Sequence, residues 1–444
     1  MTSINTEDMP NMATSAKEQL ITASERRKAL MGSAIGSTIE WYDYFLYGTM
    51  SAIVFAHLFF PSHDPLVSQL LALASFALAF FIRPIGGIVF AHIGDRIGRK
   101  KTLAMTLALM GLSTVLIGLL PTYAQIGIWA PILLTLLRLI QGLALGGEWG
   151  GGVLLAVEYS PKAKRGFYGA VPQTGALLGL ALGNIFTSVL YATMSEQDFL
   201  SYGWRIPFVG SIVLVLIGMW IRHRVDETPA FKKIRATQSE KRIPIVETLK
   251  HHRREVVIAI GAKVVETSTF FFYATFSIGY MAQLGYAKNQ ILNVVLLAAI
   301  LAVPMMLLFG SLSDRVGRKP VFIGGAIALI VWIFPFFWMI NLHETWAAVV
   351  AIVVGFSVVW ASYGAMMGTL LAEAFPAEVR YTGMSLGYQI GAAIIGGPLP
   401  LIATWLLAVF SNQYWPLAVL FILCALISIF AVRLLAEKSG QALD

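Results

Sequence analysis

The chain predicts an all-α membrane protein of twelve transmembrane helices in two pseudo-symmetric six-helix halves, on three observations. Of its 444 residues 57% are hydrophobic and 13% charged, where an ordinary soluble domain carries about 25% charged residues. Apolar runs of about 20 residues, the length that crosses a bilayer, recur from end to end. One loop sequence appears twice: Gly94-Asp95-Arg96-Ile97-Gly98-Arg99-Lys100 returns half a chain later as Ser313-Asp314-Arg315-Val316-Gly317-Arg318-Lys319. A basic, acidic and glycine-bearing turn between apolar runs is a tight hairpin, and its repetition marks a duplicated bundle. Duplicated bundles in membranes are mostly transporters.

The elements follow in order. Residues 1–28 are polar with no early apolar h-region, so the expectation is a disordered cytoplasmic tail, no cleaved signal peptide and a first span that acts as an uncleaved anchor. Spans are expected near 31–58, 66–92, 101–120, 126–157, 166–194, 204–222, 255–283, 290–311, 320–340, 346–373, 381–408 and 414–434. Several are long enough to imply tilt or projecting ends. They group into an N-terminal bundle (29–222), a charged central loop (223–254) with Pro229 and Pro244, a C-terminal bundle (255–435) and a C-tail (436–444). Nearly all of the 32 Lys and Arg fall on the side of the termini, with Arg205 and Lys288 opposite and Arg83, Arg138 and Lys263 inside spans. The positive-inside rule then places both termini in the cytoplasm.

Several function classes drop out. The net charge of +8 sits in short loops rather than on a nucleic-acid-binding face. A single cysteine, Cys424, allows neither a disulfide framework nor a cysteine metal cluster. The seven histidines show no ligand spacing, and His251-His252 lies in a charged loop. The glycines from Gly142 to Gly152 lack the strand that a phosphate-cradling loop needs. No nucleophile–base pair is visible, so neither an enzyme nor a cofactor is expected. Gly175, Gly179 and Gly183 recur every fourth residue and should give the fifth span a smooth face for close helix packing.

Two sets of charged residues carry chemistry. At the cytoplasmic ends, the repeated loop supplies Gly94, Asp95, Arg96 and Arg99, and again Asp314, Arg315 and Arg318. An Asp there can cap the next helix and meet its dipole. Glu158 precedes Arg165 after the fourth span as Glu373 precedes Arg380 after the tenth, at the same spacing, so the loop arginines are expected to pair with Glu158 or Glu373 as gates, one latch per half. Inside the spans charge is expensive, about 2.5–3.5 kcal/mol per residue, and marks function by default. Glu40 and Asp43 share a face of the first span, with Asp43 about 18 Å along it and so near mid-depth. Arg138 reaches a similar depth in the fourth span. Lys263 and Glu266 again share a face, either as a local ion pair or with Lys263 as a substrate ligand. The polar run Thr267, Ser268, Thr269 and Tyr273 marks that seventh span as cavity-lining. Glu148, nearer the cytoplasmic half, reads as structural or gate-linked.

These motifs carry a resemblance. The loop repeat, Arg138-x-x-Gln141-Gly142 and the 6+6 charge pattern resemble the major facilitator superfamily over essentially the whole chain. More narrowly, Ile39-Glu40-Trp41-Tyr42-Asp43-Tyr44-Phe45, Arg83-Pro84-Ile85-Gly86 and Gln141-Gly142 with Gly147-Glu148-Trp149-Gly150-Gly151 resemble the metabolite:H+ symporter family. That family includes carriers for shikimate, 2-oxoglutarate, citrate, and proline or betaine. Related sugar:H+ carriers use an Asp in span one and an Arg in span four for coupling. The resemblance supports a proton switch in which ionised Asp43 pairs with Arg138 and protonated Asp43 releases it, the alternative being a fixed structural ion pair. Glu40 reads as a second proton site, a partner of Arg83 or a hydrogen-bonding group within the helix bundle.

The expected function is proton symport that imports a small polar organic metabolite, a carboxylate such as shikimate or a di- or tricarboxylate, by alternating access. Arg83, Arg138 and Lys263 favour a carboxylate. Gln141, Tyr44, Tyr47, Gln173, Glu266, Tyr273, Trp360, Tyr363, Tyr388 and Gln389 complete the expected cavity. The partners are the metabolite, H+ and membrane lipids, with no nucleic acid, and the chain is expected to act as a monomer. Two alternatives stand beside this reading. Symport of a zwitterionic osmolyte is weakened by an end at Asp444 soon after the last span. Proton-antiport efflux is weakened by the lack of a Gly-Pro signature in the fifth span, where Pro172 lies near the cytoplasmic end. A receptor-like protein has no use for a symmetric latch.

Overall fold

The computed structural model describes residues 23–97, 99–224, 244–376 and 379–441. Among them, twelve helical spans follow one another: α1 (Ala23–Met50, continued through a π-turn at Ser51–Phe55 to Leu58), α2 (Pro65–Ile97), α3 (Arg99–Leu119), α4 (Trp129–Glu158), α5 (Arg165–Thr193) and α6 (Glu196–Gly203, then Arg205–Arg224). The second set is α7 (Arg253–Gln283), α8 (Lys288–Val316), α9 (Arg318–Ile340), α10 (Thr345–Ala374), α11 (Arg380–Val409) and α12 (Trp415–Arg433). Nine of these are each long and apolar enough to cross a membrane, and α6 qualifies as a pair bent by 48°. The remaining two are α1, which carries Glu40 and Asp43, and α3, whose apolar part is the shorter Ala104–Leu119.

The structure differs from the sequence reading in detail. The first helix begins by Ala23, earlier than expected, and the central loop contains a helix, Pro244–His251. The repeated loop is hardly a loop. Helix α8 runs through Val316 and α9 begins at Arg318, so the break is Gly317 alone, at φ 99°. That left-handed region is open to glycine and strained for most other residues.

Packing follows the duplication. Helix α1 packs on α5, α2 on α4 and α3 on α6; six helices later, α7 packs on α11, α8 on α10 and α9 on α12. The halves meet where α5 crosses α8 and where α2 crosses α11. Small residues make the tight crossings. A Cβ at Gly175 would lie 2.6 Å from that of Ser37, and one at Gly179 would lie 2.6 Å from the Tyr42 nitrogen, so the α5 glycine face lets the α1 backbone come close. Helices α3, α6, α9 and α12 turn Leu112, Leu216, Val331 and Phe430 outward, each more than half exposed. Such a surface suits hydrocarbon rather than water. With those four helices at the rim, the charges buried in mid-span (Glu40, Asp43, Arg83, Arg138, Lys263 and Glu266) lie on the inner helices α1, α2, α4 and α7.

Candidate functional site

Between the halves lies a small cavity of about 20 Å³, room for about one water. The N-terminal half contributes Trp41, Phe80, Arg83 and Gln173, and the C-terminal half Lys263, Glu266, Thr267, Phe270, Phe271, Met306, Trp360 and Tyr388. Arg83, Gln173, Lys263, Glu266, Trp360 and Tyr388 are residues that stand out in the sequence. Trp41, Phe80, Phe270, Phe271 and Met306 do not, because an apolar side chain in an apolar span carries no signal separating cavity from packing.

Arg83 is fully enclosed on α2. Gly146 of α4 presses on its backbone carbonyl, where any larger residue would collide, so the α2–α4 contact fixes the height of the side chain. Its guanidinium carbon lies 5.2 Å from the Phe80 ring centre, 5.6 Å from that of Trp41 and 5.7 Å from that of Tyr44. Among the described residues none of its three guanidinium nitrogens has a hydrogen-bond partner. Ring faces return about 2 kcal/mol to a desolvated cation, less than the several kcal/mol that burying an ion costs. The position calls for an anion.

The opposite wall carries a satisfied set. Lys263 and Glu266 form an ion pair on one face of α7. The Thr267 hydroxyl donates to the Glu266 carboxylate at 2.9 Å, and Trp360 Nε1 donates to the Glu266 carbonyl at 2.9 Å. The Lys263 ammonium stands 3.6 Å over the Tyr388 ring, which stacks on Trp149; Trp149 in turn donates to Gln173 at 3.0 Å. The local ion pair and the cavity-lining position, alternatives in the sequence, hold together.

Asp43 and Arg138 are both buried, on α1 and α4, but they form no ion pair. Arg138 lies instead 4.1 and 4.2 Å from the ring centres of Tyr44 and Tyr47, and donates to Gln141 Oε1 at 3.0 Å. Gln141 donates onward to Thr114 at 2.7 Å. Neither carboxyl oxygen of Asp43 has a hydrogen-bond partner among the described residues. Rings and the Gln141 amide hold the guanidinium in place of the carboxylate. Arg138 does not line the cavity, and neither do Tyr44, Tyr47 and Gln141, although the Tyr44 ring lies near both Arg83 and Arg138. Glu40 is buried and engaged with neighbours, though not with the Arg83 guanidinium. Tyr363, bonded to Thr269 at 2.8 Å, and Tyr273 of α7, stacked on Phe356, do not line the cavity; nor does Gln389, which reaches across to the Gly146 carbonyl at 3.2 Å. Glu148 accepts from Thr106 at 3.3 Å, a structural contact.

At the end of the bundle that carries the repeated loops, charges join the halves. Arg165 of α5 pairs with Glu373 of α10 at 2.9 Å, and Arg318 of α9 reaches the same carboxylate at 3.5 Å and Asp314 at 2.8 Å. Asp314 does not cap the helix that follows it. It sits in the last turn of α8 and accepts from the Gly166 and Phe167 backbone nitrogens at 2.7 and 3.0 Å, capping α5 of the other half. The expected pairing of a loop arginine with Glu373 is present in the C-terminal half as Arg318–Glu373, and Arg165 adds a pairing between the halves. The C-tail joins in: Glu437 accepts from the Arg318 and Lys319 nitrogens, capping α9, and the Gln441 carbonyl accepts from Arg165 at 2.9 Å. Arg380 donates to the Ala372 and Phe375 carbonyls, Glu158 is engaged with neighbours and Arg315 is exposed. In the first copy Gly94 lies in α2, while the side chains of Asp95, Arg96 and Arg99 lie outside the described residues.

Toward the other end, rings close the gap. Phe271 of α7 packs against Tyr44, Phe45, Phe76 and Phe80. Beyond them Gln283 donates to Gln69 at 3.5 Å.

Comparisons place this geometry. The Major Facilitator Superfamily model matches residues 33–399. The shikimate transporter of Escherichia coli K12 is 37% identical over 439 residues, covering 97% of this chain and 99% of its own. The proline/betaine transporter of Salmonella typhimurium is 35% identical over 400 residues, 87% of this chain and 79% of its own. The xylose transporter XylE of Escherichia coli, solved in a partially occluded inward-open conformation, superposes with a TM-score of 0.74 at 16% identity, covering 95% of this chain and 100% of that one. With the fold, the duplicated latch motif and two carriers of more than a third identity in agreement, the chain belongs to the major facilitator superfamily, a family of transporters and not of enzymes.

Proposed function

We propose that the protein imports a small carboxylate-bearing metabolite across the bacterial inner membrane by proton symport, with both termini in the cytoplasm and the ionic latch on the cytoplasmic side. The observation that carries this is Arg83: a buried guanidinium without a hydrogen-bond partner among the described residues, on the wall of the cavity between the halves. A substrate carboxylate supplies the missing partner. Shikimate is what one relative is named for, and XylE is named a proton:xylose symporter.

Asp43 is the proton carrier of this reading. An ionised carboxylate buried without a cation is costly, so the arrangement seen here suits the protonated form, with Arg138 released to Gln141 and the tyrosine rings. On deprotonation the carboxylate draws Arg138 toward it. Tyr44, next to Asp43 in sequence and near both arginines, passes that shift to Arg83. Rocking of the halves about the cavity then opens the phenylalanine layer on one side or the latch on the other. In proteoliposomes, an imposed inward proton gradient should drive uptake of shikimate or another carboxylate; a gradient that drives none contradicts the reading.

A second reading, symport of a zwitterionic osmolyte, draws on the rings of Trp41, Phe270 and Trp360 around the cavity, since such rings attract quaternary ammonium groups. Thermal stabilisation by glycine betaine and by no acid would favour it.

A further inference from the structure

We infer that the cavity selects a compact metabolite bearing one carboxylate and hydroxyl groups, and turns away dicarboxylates, through the charge count that Glu266 sets. The inference rests on the carboxylate reading above and narrows it.

Among the described residues three charged side chains line the cavity: Arg83, Lys263 and Glu266. Lys263 and Glu266 are joined as an ion pair, and the ammonium is further committed to the Tyr388 ring. Arg83 has no such partner. The walls therefore offer one uncompensated positive charge. A monocarboxylate at Arg83 neutralises it, leaving the site without net charge, the condition under which a dry, ion-bearing cavity is least costly. A second carboxylate would meet Glu266 with no free cation to receive it, and like charges brought together in a desolvated site repel strongly. Arg138 does not relieve this, because it stands outside the cavity wall beside Tyr44.

Zwitterions meet the opposite difficulty. Their cationic end would enter a site that already holds Arg83 and Lys263, and the Trp41, Phe80 and Tyr388 rings already face those two cations. Hydroxyl groups suit the remaining polar atoms. The Glu266 carboxylate accepts hydrogen bonds, as it does from Thr267, and the Thr267 hydroxyl and Gln173 amide lie on the same cavity. The anionic end of the substrate thus belongs to α2 and its hydroxylated end to α7.

The test is a binding series on the purified full chain, read by the fluorescence of Trp41 and Trp360 and by the thermal unfolding midpoint. The probes are shikimate and quinate (hydroxylated monocarboxylates), shikimate methyl ester, 2-oxoglutarate and glycine betaine. Shikimate or quinate should bind, with the methyl ester and 2-oxoglutarate at least about 10-fold weaker, the factor that one lost or repelled charge contact readily produces. In Glu266→Gln, Lys263 becomes a second free cation, and 2-oxoglutarate should come within about threefold of shikimate. If 2-oxoglutarate matches the monoacids in the unaltered protein, or the ester matches the acid, the inference is overturned. Should Glu266→Gln fail to fold, the unaltered protein decides by that ratio alone. Binding of acids without regard to charge number sinks this inference and leaves the carboxylate reading standing, whereas binding of betaine and of no acid sinks both.

Discussion

The two halves of the molecule share a fold but treat buried charge in opposite ways. In the N-terminal half, the Asp43 carboxyl and the Arg83 guanidinium have no hydrogen-bond partner among the described residues and Arg138 is satisfied at one of its three nitrogens, though Glu40 is engaged. In the C-terminal half, Lys263 and Glu266 sit at comparable places on α7 as a formed ion pair with further bonds from Thr267 and Trp360. Breaking a buried pair costs about 3–5 kcal/mol, so the C-terminal set is a fixed wall. Groups without partners are free to change partners during a cycle. On the proposed reading, binding and coupling fall to the N-terminal half, and shape and charge exclusion to the C-terminal half.

Substitutions can break this contrast. The largest effect is expected at Arg83. Arg83→Gln should weaken carboxylate binding by about 100-fold, as loss of one partner of a buried charge pair does, while the unfolding temperature stays level or rises because an uncompensated charge is gone. An unchanged affinity would move the anion site elsewhere.

The latch comes next, where the halves must act together. Glu373→Gln leaves Arg165 and Arg318 without their shared carboxylate. Spin labels at Lys162 and Arg315, exposed positions on the two halves, should report a shift of about tenfold toward longer separations, equal to about 1.4 kcal/mol. Glu437→Gln, which weakens only the α9 cap made by the C-tail, should move the same distribution by less, about threefold, in line with the loss of one capping contact.

The smallest effect sharpens the contrast from the other side. Replacing the C-terminal pair together, Lys263→Met with Glu266→Gln, removes two charges that cancel. The unfolding midpoint should change little, since exchanging a whole buried pair is often near neutral for stability. Monocarboxylate affinity should fall by no more than about tenfold, the loss expected from a weakened hydrogen bond to a substrate hydroxyl. A large loss would show that Lys263 itself holds the carboxylate.

Much of the fold was legible in the sequence, because membrane spans announce themselves by length and hydropathy and the loop repeat exposed the duplication. The charged part of the site was legible for the same reason: Arg83, Lys263 and Glu266 stand out where charge is costly. What could not be read was partnership. Glu158 and Arg165 share a spacing with Glu373 and Arg380, but Arg165 pairs with Glu373, and Asp314 caps a helix of the other half, because the latch is made between halves. Spacing along one chain sees near neighbours and is blind to such crossings. Asp43 and Arg138 match in depth, yet Tyr44, Tyr47 and Gln141 hold the arginine instead. The aromatic walls were hidden outright, since Phe271 in an apolar span looks the same whether it meets lipid, packing or a cavity.

That the proton rides on Asp43 is tested most directly in proteoliposomes holding the Asp43→Asn variant beside the unaltered protein. The measurement is uptake of a carboxylate under an imposed inward proton gradient, with counterflow exchange on the same vesicles. The account predicts that the variant no longer responds to the gradient while exchange stays within about threefold, because a neutral amide mimics the protonated carboxyl that this arrangement suits. Gradient-driven uptake that persists in Asp43→Asn would contradict it.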